Sequence, residues 1–229
     1  MLLSILSIRA IRTAAVLILF AIFPFVMPAG TGAQTDESLE LEFRQLRDKL
    51  SATPEFSGSD AEAKFRLAEE LAHRGDMQGA IDNYRAAIRL KSDWADPYRG
   101  LGQVLLDQHH YAEAADALQS AISVGRDDHL TFYWLGRAFM GTGRLSEASQ
   151  ALGRALELQE EAETAADLGL VKMAQGDAAG AEETLTRSIR LKPDYAEAHE
   201  LRDRLAKTKG DKELTRQAGQ QVLDDIFRR

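Results

Sequence analysis

The chain has no cysteine. Disulfides, thiol catalysis, cysteine-ligated metal and lipid attachment through cysteine are therefore excluded. It has no excess of positive charge either. Lys plus Arg number 28 against 36 Asp plus Glu, a net charge of −8. A nucleic-acid partner asks for a basic face and is not expected. There is no His-Glu-x-x-His and no Gly-rich phosphate loop. The five histidines are His73, His109, His110, His129 and His199. His109 and His110 are chain neighbours, which do not share a helical face, so a solvated turn is expected there rather than a metal site. The acids between Glu157 and Glu163 read as a solvated helix end and turn. Arg74-Gly75-Asp76 spells an adhesion tripeptide, yet it stands where a helix C-cap and the next N-cap are required. With no convergent polar constellation left, no enzyme, no cofactor and no metal is expected.

Long apolar runs are confined to one place. Ala14 to Met27 is an uninterrupted run of 14 residues, preceded by Arg9 and Arg12 and followed by Pro28 and small residues up to Ala33. That is short for a spanning helix of about 20 residues. Residues 1–33 therefore read as an export signal cleaved before Gln34, placing the remainder in the periplasm or outside the cell. The alternative is an uncleaved anchor in the inner membrane with the rest facing the periplasm.

What the chain does have is one pattern written four times. Ala80, Ala114, Ala148 and Ala181 recur at intervals of 34, 34 and 33 residues. A fixed period of this size means stacked units. Leu67, Leu101, Leu135 and Leu168 repeat, each followed by a small residue: Ala68, Gly102, Gly136, Gly169. Four residues past each anchoring alanine come Tyr84, Leu118, Leu152 and Leu185; three further stand Ala87, Ala121, Ala155 and Ser188. These are helix-period spacings, so each unit is two antiparallel helices whose axes approach at the small residues. Gly75, Gly143 and Gly176 suit a left-handed residue ending the first helix. Asp76, Ser146 and Asp177 follow as expected N-caps. The second unit has His109-His110 instead, and a looser turn is expected there.

These units resemble tetratricopeptide repeats over Ala61 to about Asp194, and "LKPDY" (Leu191 to Tyr195) is similar to the family's repeat ending. Ser92, Arg126 and Glu160 stand where the family often has proline. The resemblance implies an all-α solenoid of four helix pairs, at 61–94, 95–128, 129–161 and 162–195. It also implies protein binding on a concave groove lined by the first helices. Carried over by repeat position, the fifth and ninth residues of each unit face that groove. They are Phe65 and Glu69, Arg99 and Gln103, Tyr133 and Arg137, then Ala166 and Leu170, with Met140 and Met173 one turn further along. The family's carboxylate clamp is not reproduced: Phe65 and Glu69, and Leu130 and Trp134, replace the residues it uses. A segment with an acidic group near Arg99 and Arg137 is the expected ligand; the competing reading has these arginines pairing with neighbouring acids.

Residues 34–60 are read as an N-terminal helix and a linker. Leu39, Phe43, Leu46 and Leu50 make one apolar stripe, and residues 51–60 are the linker. Residues 196–229 are read as capping helices, the last spanning Glu213 to Phe227. Its apolar face is set at Leu214, Ala218, Val222 and Ile226, widened by Leu223 and Phe227. Either flank could support self-association. The expected role is a non-catalytic adaptor in a bacterial cell envelope, the alternative an accessory subunit that positions or regulates an envelope enzyme.

Overall fold

The computed structural model describes residues 54–208 and 210–227. The export signal and the stripe from Leu39 to Leu50 lie outside them. Among the described residues there are ten helices and no strand. They are α1 (Pro54–His73), α2 (Met77–Leu90), α3 (Ala95–Asp107), α4 (Tyr111–Ser123), α5 (His129–Gly141), α6 (Leu145–Leu158), α7 (Ala162–Ala174), α8 (Ala178–Leu191), α9 (Ala196–Lys207) and α10 (Lys212–Phe227). The first eight form the four expected pairs, α1/α2 to α7/α8.

The pairs close through one repeated contact. A Cβ on Gly102 would lie 2.5 Å from Leu118 Cγ, on Gly136 2.6 Å from Leu152 Cγ, and on Gly169 2.7 Å from Leu185 Cγ. Each first helix thus gives up a side chain so that the branched leucine of its partner can lie against its backbone. Leu118, Leu152 and Leu185 are fully buried as a result. In the first pair the counterparts are Ala68 and Tyr84, both buried. Leu101, Leu135 and Leu168 are buried too, whereas Leu67, at the start of the stack, is 44% exposed.

The turns inside the pairs share one hydrogen-bond pattern. Asp76 N donates to Leu71 O at 2.9 Å and Gly75 N to Ala72 O at 3.1 Å; Arg144 N and Gly143 N repeat this on Phe139 O and Met140 O at 2.8 and 3.0 Å. This double bond caps the last carbonyls of the first helix around one left-handed residue. The second unit does the same with histidine. His109 has φ 60°, and His110 N and His109 N reach Leu105 O and Leu106 O at 2.8 and 2.9 Å. The turn is therefore not looser than the others, contrary to expectation.

Other expectations need correction. Residues 54–60, taken as linker, are already helical, with Pro54 at the first helical position, where its missing N–H is no loss. Ser146 is not a cap: α6 begins at Leu145 behind Arg144, whose side chain makes no capping bond. Asp76 and Asp177 do cap, accepting from Gly79 N at 2.9 Å and Gly180 N at 3.0 Å. Asp128 is a further cap, accepting from Thr131 N at 2.9 Å.

The last helix departs from the solenoid. α9 stacks on α8 and α7 as the first helix of a fifth unit. A continuing stack would lay α10 along α9. Instead α10 turns back across α7, with lighter contact to α5 and α9. Its buried residues are Thr215, Gly219 and Leu223, while Leu214 is 50% exposed. The expected face is thus rotated by one residue. The cause is Gly219, whose Cβ would sit 2.3 Å from Ala174 N and 2.7 Å from Met173 C. That crossing is backbone against backbone, and it fixes which side of α10 points inward.

Candidate functional site: the concave face

First helices touch first helices of the next unit, in the pairs α1/α3, α3/α5, α5/α7 and α7/α9. Among the described residues no comparable contact joins the second helices. The stack therefore curves with the first helices inside, and their outward faces form the concave surface.

Along that surface the expected residues divide into three groups. In the first unit, Phe65 is engaged in packing. Its ring lies 4.7 Å from that of Trp94 and 5.9 Å from that of Tyr84, centroid to centroid. Glu69 beside it is exposed. The Tyr84 hydroxyl is pushed up to about 12, first by burial and then by Glu69, with Arg99 pulling it back.

The second group is central. Arg99 is half-buried, and its guanidinium lies 5.8 Å above the Trp134 ring. Its Nε has no hydrogen-bond partner, and among the described residues it forms no ion pair. Gln103, one turn on, is exposed. Arg137 differs. Its Nε is 3.9 Å from Asp167 Oδ2, and its guanidinium lies 5.9 Å from the Tyr133 ring and 6.0 Å from that of Phe227. The Asp167 side chain is only 13% exposed. Burial pushes its carboxyl up to about 6, although the Arg137 charge draws it down. Tyr133 is also raised, mainly by burial and then by the Asp167 charge. Of the two arginines, then, Arg137 is held by a neighbouring acid and Arg99 is not.

The third group is covered. Met140, Ala166, Leu170 and Met173, expected along an open groove, are all buried. α7 is buried on every side, ten of its 13 residues being inaccessible. The crossing of Gly219 over Met173 and Ala174 shows what covers its inner face. At its far end α10 reaches the second unit, where the Phe227 ring meets Tyr111 edge-on at 5.4 Å. A cleft of about 280 Å³ remains beside this contact, lined by Gln103, Asp107, His109, Trp134, Arg137 and Phe227 among others.

Sequence reasoning passed over Trp134 and Asp167 as site residues. Both hold the sixth position of their units, next to Tyr133 and Ala166, so the repeat register was the signal that could have found them. Phe227 had no such signal, since it belongs to no repeat.

Residues 99–166 match the model of a tetratricopeptide repeat, and residues 68–109 match a second tetratricopeptide-repeat model. Residues 68–166 thus consist of tetratricopeptide repeats. Among solved structures, YrrB, described as a TPR protein with an unusual peptide-binding site, is similar with 25% identity and a TM-score of 0.62. The match covers 73% of this chain and 86% of that one. MamA is similar with 22% identity and a TM-score of 0.65, over 73% of this chain and 92% of that one, and shows the fold alone. The curated relatives include the BBSome complex member BBS4 of Bos taurus, 28% identical over 64% of this chain and 28% of that protein. The Xenopus tropicalis counterpart is 23% identical over 66% and 29%. The chain spans less than a third of the length of these relatives. A tetratricopeptide solenoid is the fold of a protein–protein interaction scaffold.

Proposed function

We propose that this scaffold holds an extended or helical partner segment on the concave face of its first three units, through an acidic group at Arg99, and that it does so in a bacterial cell envelope. The observation that carries the reading is the state of Arg99. It is half-buried and stacked on Trp134, its Nε has no hydrogen-bond partner, and among the described residues no carboxylate pairs with it at ion-pair distance, Asp128 feeling its charge only from farther off. Desolvation makes an unpaired guanidinium costly, and a partner carboxylate would relieve that cost through a charge-assisted pair. Exposed Gln103 and the neighbouring cleft extend the surface. The peptide-binding site in the description of YrrB supports a peptide as ligand. The envelope setting rests on Arg9, Arg12 and the apolar run after them.

A peptide-display selection on the full chain, repeated on Arg99→Glu with matched helical content, tests this. Selected peptides should be enriched in Asp and Glu and lose about tenfold or more in affinity for Arg99→Glu. Peptides without acidic enrichment that bind both proteins equally would contradict it.

A further inference from the structure

We propose that α10 is a built-in ligand: it occupies the concave face over the third and fourth units in place of a partner helix, which must displace it to bind. The partner this seat fits is an amphipathic helix with a small residue at the crossing, a leucine four residues on and an aromatic four beyond that. Those positions are Gly219, Leu223 and Phe227 in α10.

Four observations lead here. α9 already stacks on the fourth unit as an end-capping helix, so α10 is not needed to close the stack. α10 leaves the direction of the solenoid at a single turn, where Gly210 is left-handed at φ 77° and Asp211 starts the new helix by accepting from Leu214 N at 2.9 Å. Its own full burial is limited to three of 16 residues, with Ala218, Val222, Ile226 and Phe227 packed only partly buried against the core. Finally, its tip does not end on α7. Phe227 and Ile226 run on to wall the cleft beside Trp134 and Arg137, so lifting α10 joins the α7 face to that cleft as one surface.

The fit is selective because the closest approach is to backbone. No side chain can be added at position 219 while α10 is seated, since even a Cβ would fall 2.3 Å from Ala174 N. Gly219→Arg therefore lifts α10 and leaves the face beneath it unaltered.

The test uses the full chain, wild type and Gly219→Arg, and a fluorescent peptide of residues 212–229 as probe. Trypsin should cut faster at Lys207 and Lys212 in the variant, reporting release. The peptide should bind the variant at least about tenfold more tightly than the wild type, since a groove occupied nine-tenths of the time weakens apparent affinity by that factor. The same peptide carrying Gly219→Arg should bind neither. Equal affinity for both chains overturns the proposal. So does loss of helical signal beyond the share of α10, which makes that helix part of the core. A wild-type dimer that Gly219→Arg turns into a monomer also overturns it, because α10 then sits on a second copy. Release of α10 and binding of this peptide are read with no acidic partner segment present, so this inference and the reading of Arg99 fail separately.

Discussion

Asp167 is a buried acid whose chemistry the fold displaces. Its carboxyl titrates at about 6 in the folded protein, against an ordinary value of 3.8, because burial outweighs the attraction of Arg137. Between those two values the folded chain holds a proton that the unfolded chain has lost. Stability contributed by this group therefore rises as pH falls from about 7 to about 4, and is lost as pH rises through 6. Asp167→Asn resembles the protonated form and should remove that dependence. Denaturant titrations from pH 4 to 7 should show the variant gaining on the wild type toward pH 7. Parallel profiles would contradict the assignment. Such a residue was hard to read from the sequence. An aspartate at the sixth position of a repeat is an ordinary surface residue until α5, α7 and the end of the stack close around it. His109 teaches the reverse. The missing glycine was plain in the sequence, but its consequence was not, because histidine adopts the left-handed region at a cost of about 1–2 kcal/mol. The turn's two backbone hydrogen bonds hold it there, and Nδ1 lies 2.6 Å from the Tyr111 hydroxyl.

At the scale of helices, the small-to-large interlock carries the fold, and two glycines separate its effect from helix propensity. Gly136 and Gly153 are both helical, and alanine is the better helix former at each by about 1 kcal/mol. A Cβ on Gly153 meets nothing within 4 Å, so Gly153→Ala should stabilise the protein by about 0.5–1 kcal/mol. A Cβ on Gly136 lands against Leu152, which is fully buried and cannot move aside. Gly136→Ala should therefore destabilise it, overpacking of about 1–3 kcal/mol exceeding the gain in propensity. Chemical denaturation of both variants checks the opposite signs; a shift in the same direction would mean that the leucines do not set the helix spacing. This interlock was legible from the sequence because it recurs at a fixed period. Caps were legible only where Asp follows the left-handed glycine directly, at Asp76 and Asp177. Ser146 lies two residues too late, and Arg144 holds that place instead. The face of α10 was misread by one position because it was set on the apolar side chains, whereas the point of closest contact is Gly219, which has none.

For the molecule as a whole, periodicity revealed the stack of helix pairs, but it could not reveal that a helix outside the period folds back across α7. Of the residues expected on the groove, Phe65 packs against Trp94 and Tyr84, Arg99 stacks on Trp134, and Arg137 lies beside Asp167. Met140, Leu170 and Met173 are buried, Met173 at the point where Gly219 of α10 crosses. On the proposed reading the binding surface has two parts, one around Arg99 and Trp134 and the other closed by the chain's own C-terminal helix. Amide hydrogen exchange of the wild-type chain tests this most directly, since it reads opening without any partner. The account predicts that amides of α10 exchange through a local opening, well before those of α7 and the paired helices. Exchange of α10 together with α7, at the rate of global unfolding, would contradict it and make the C-terminal helix a fixed part of the core.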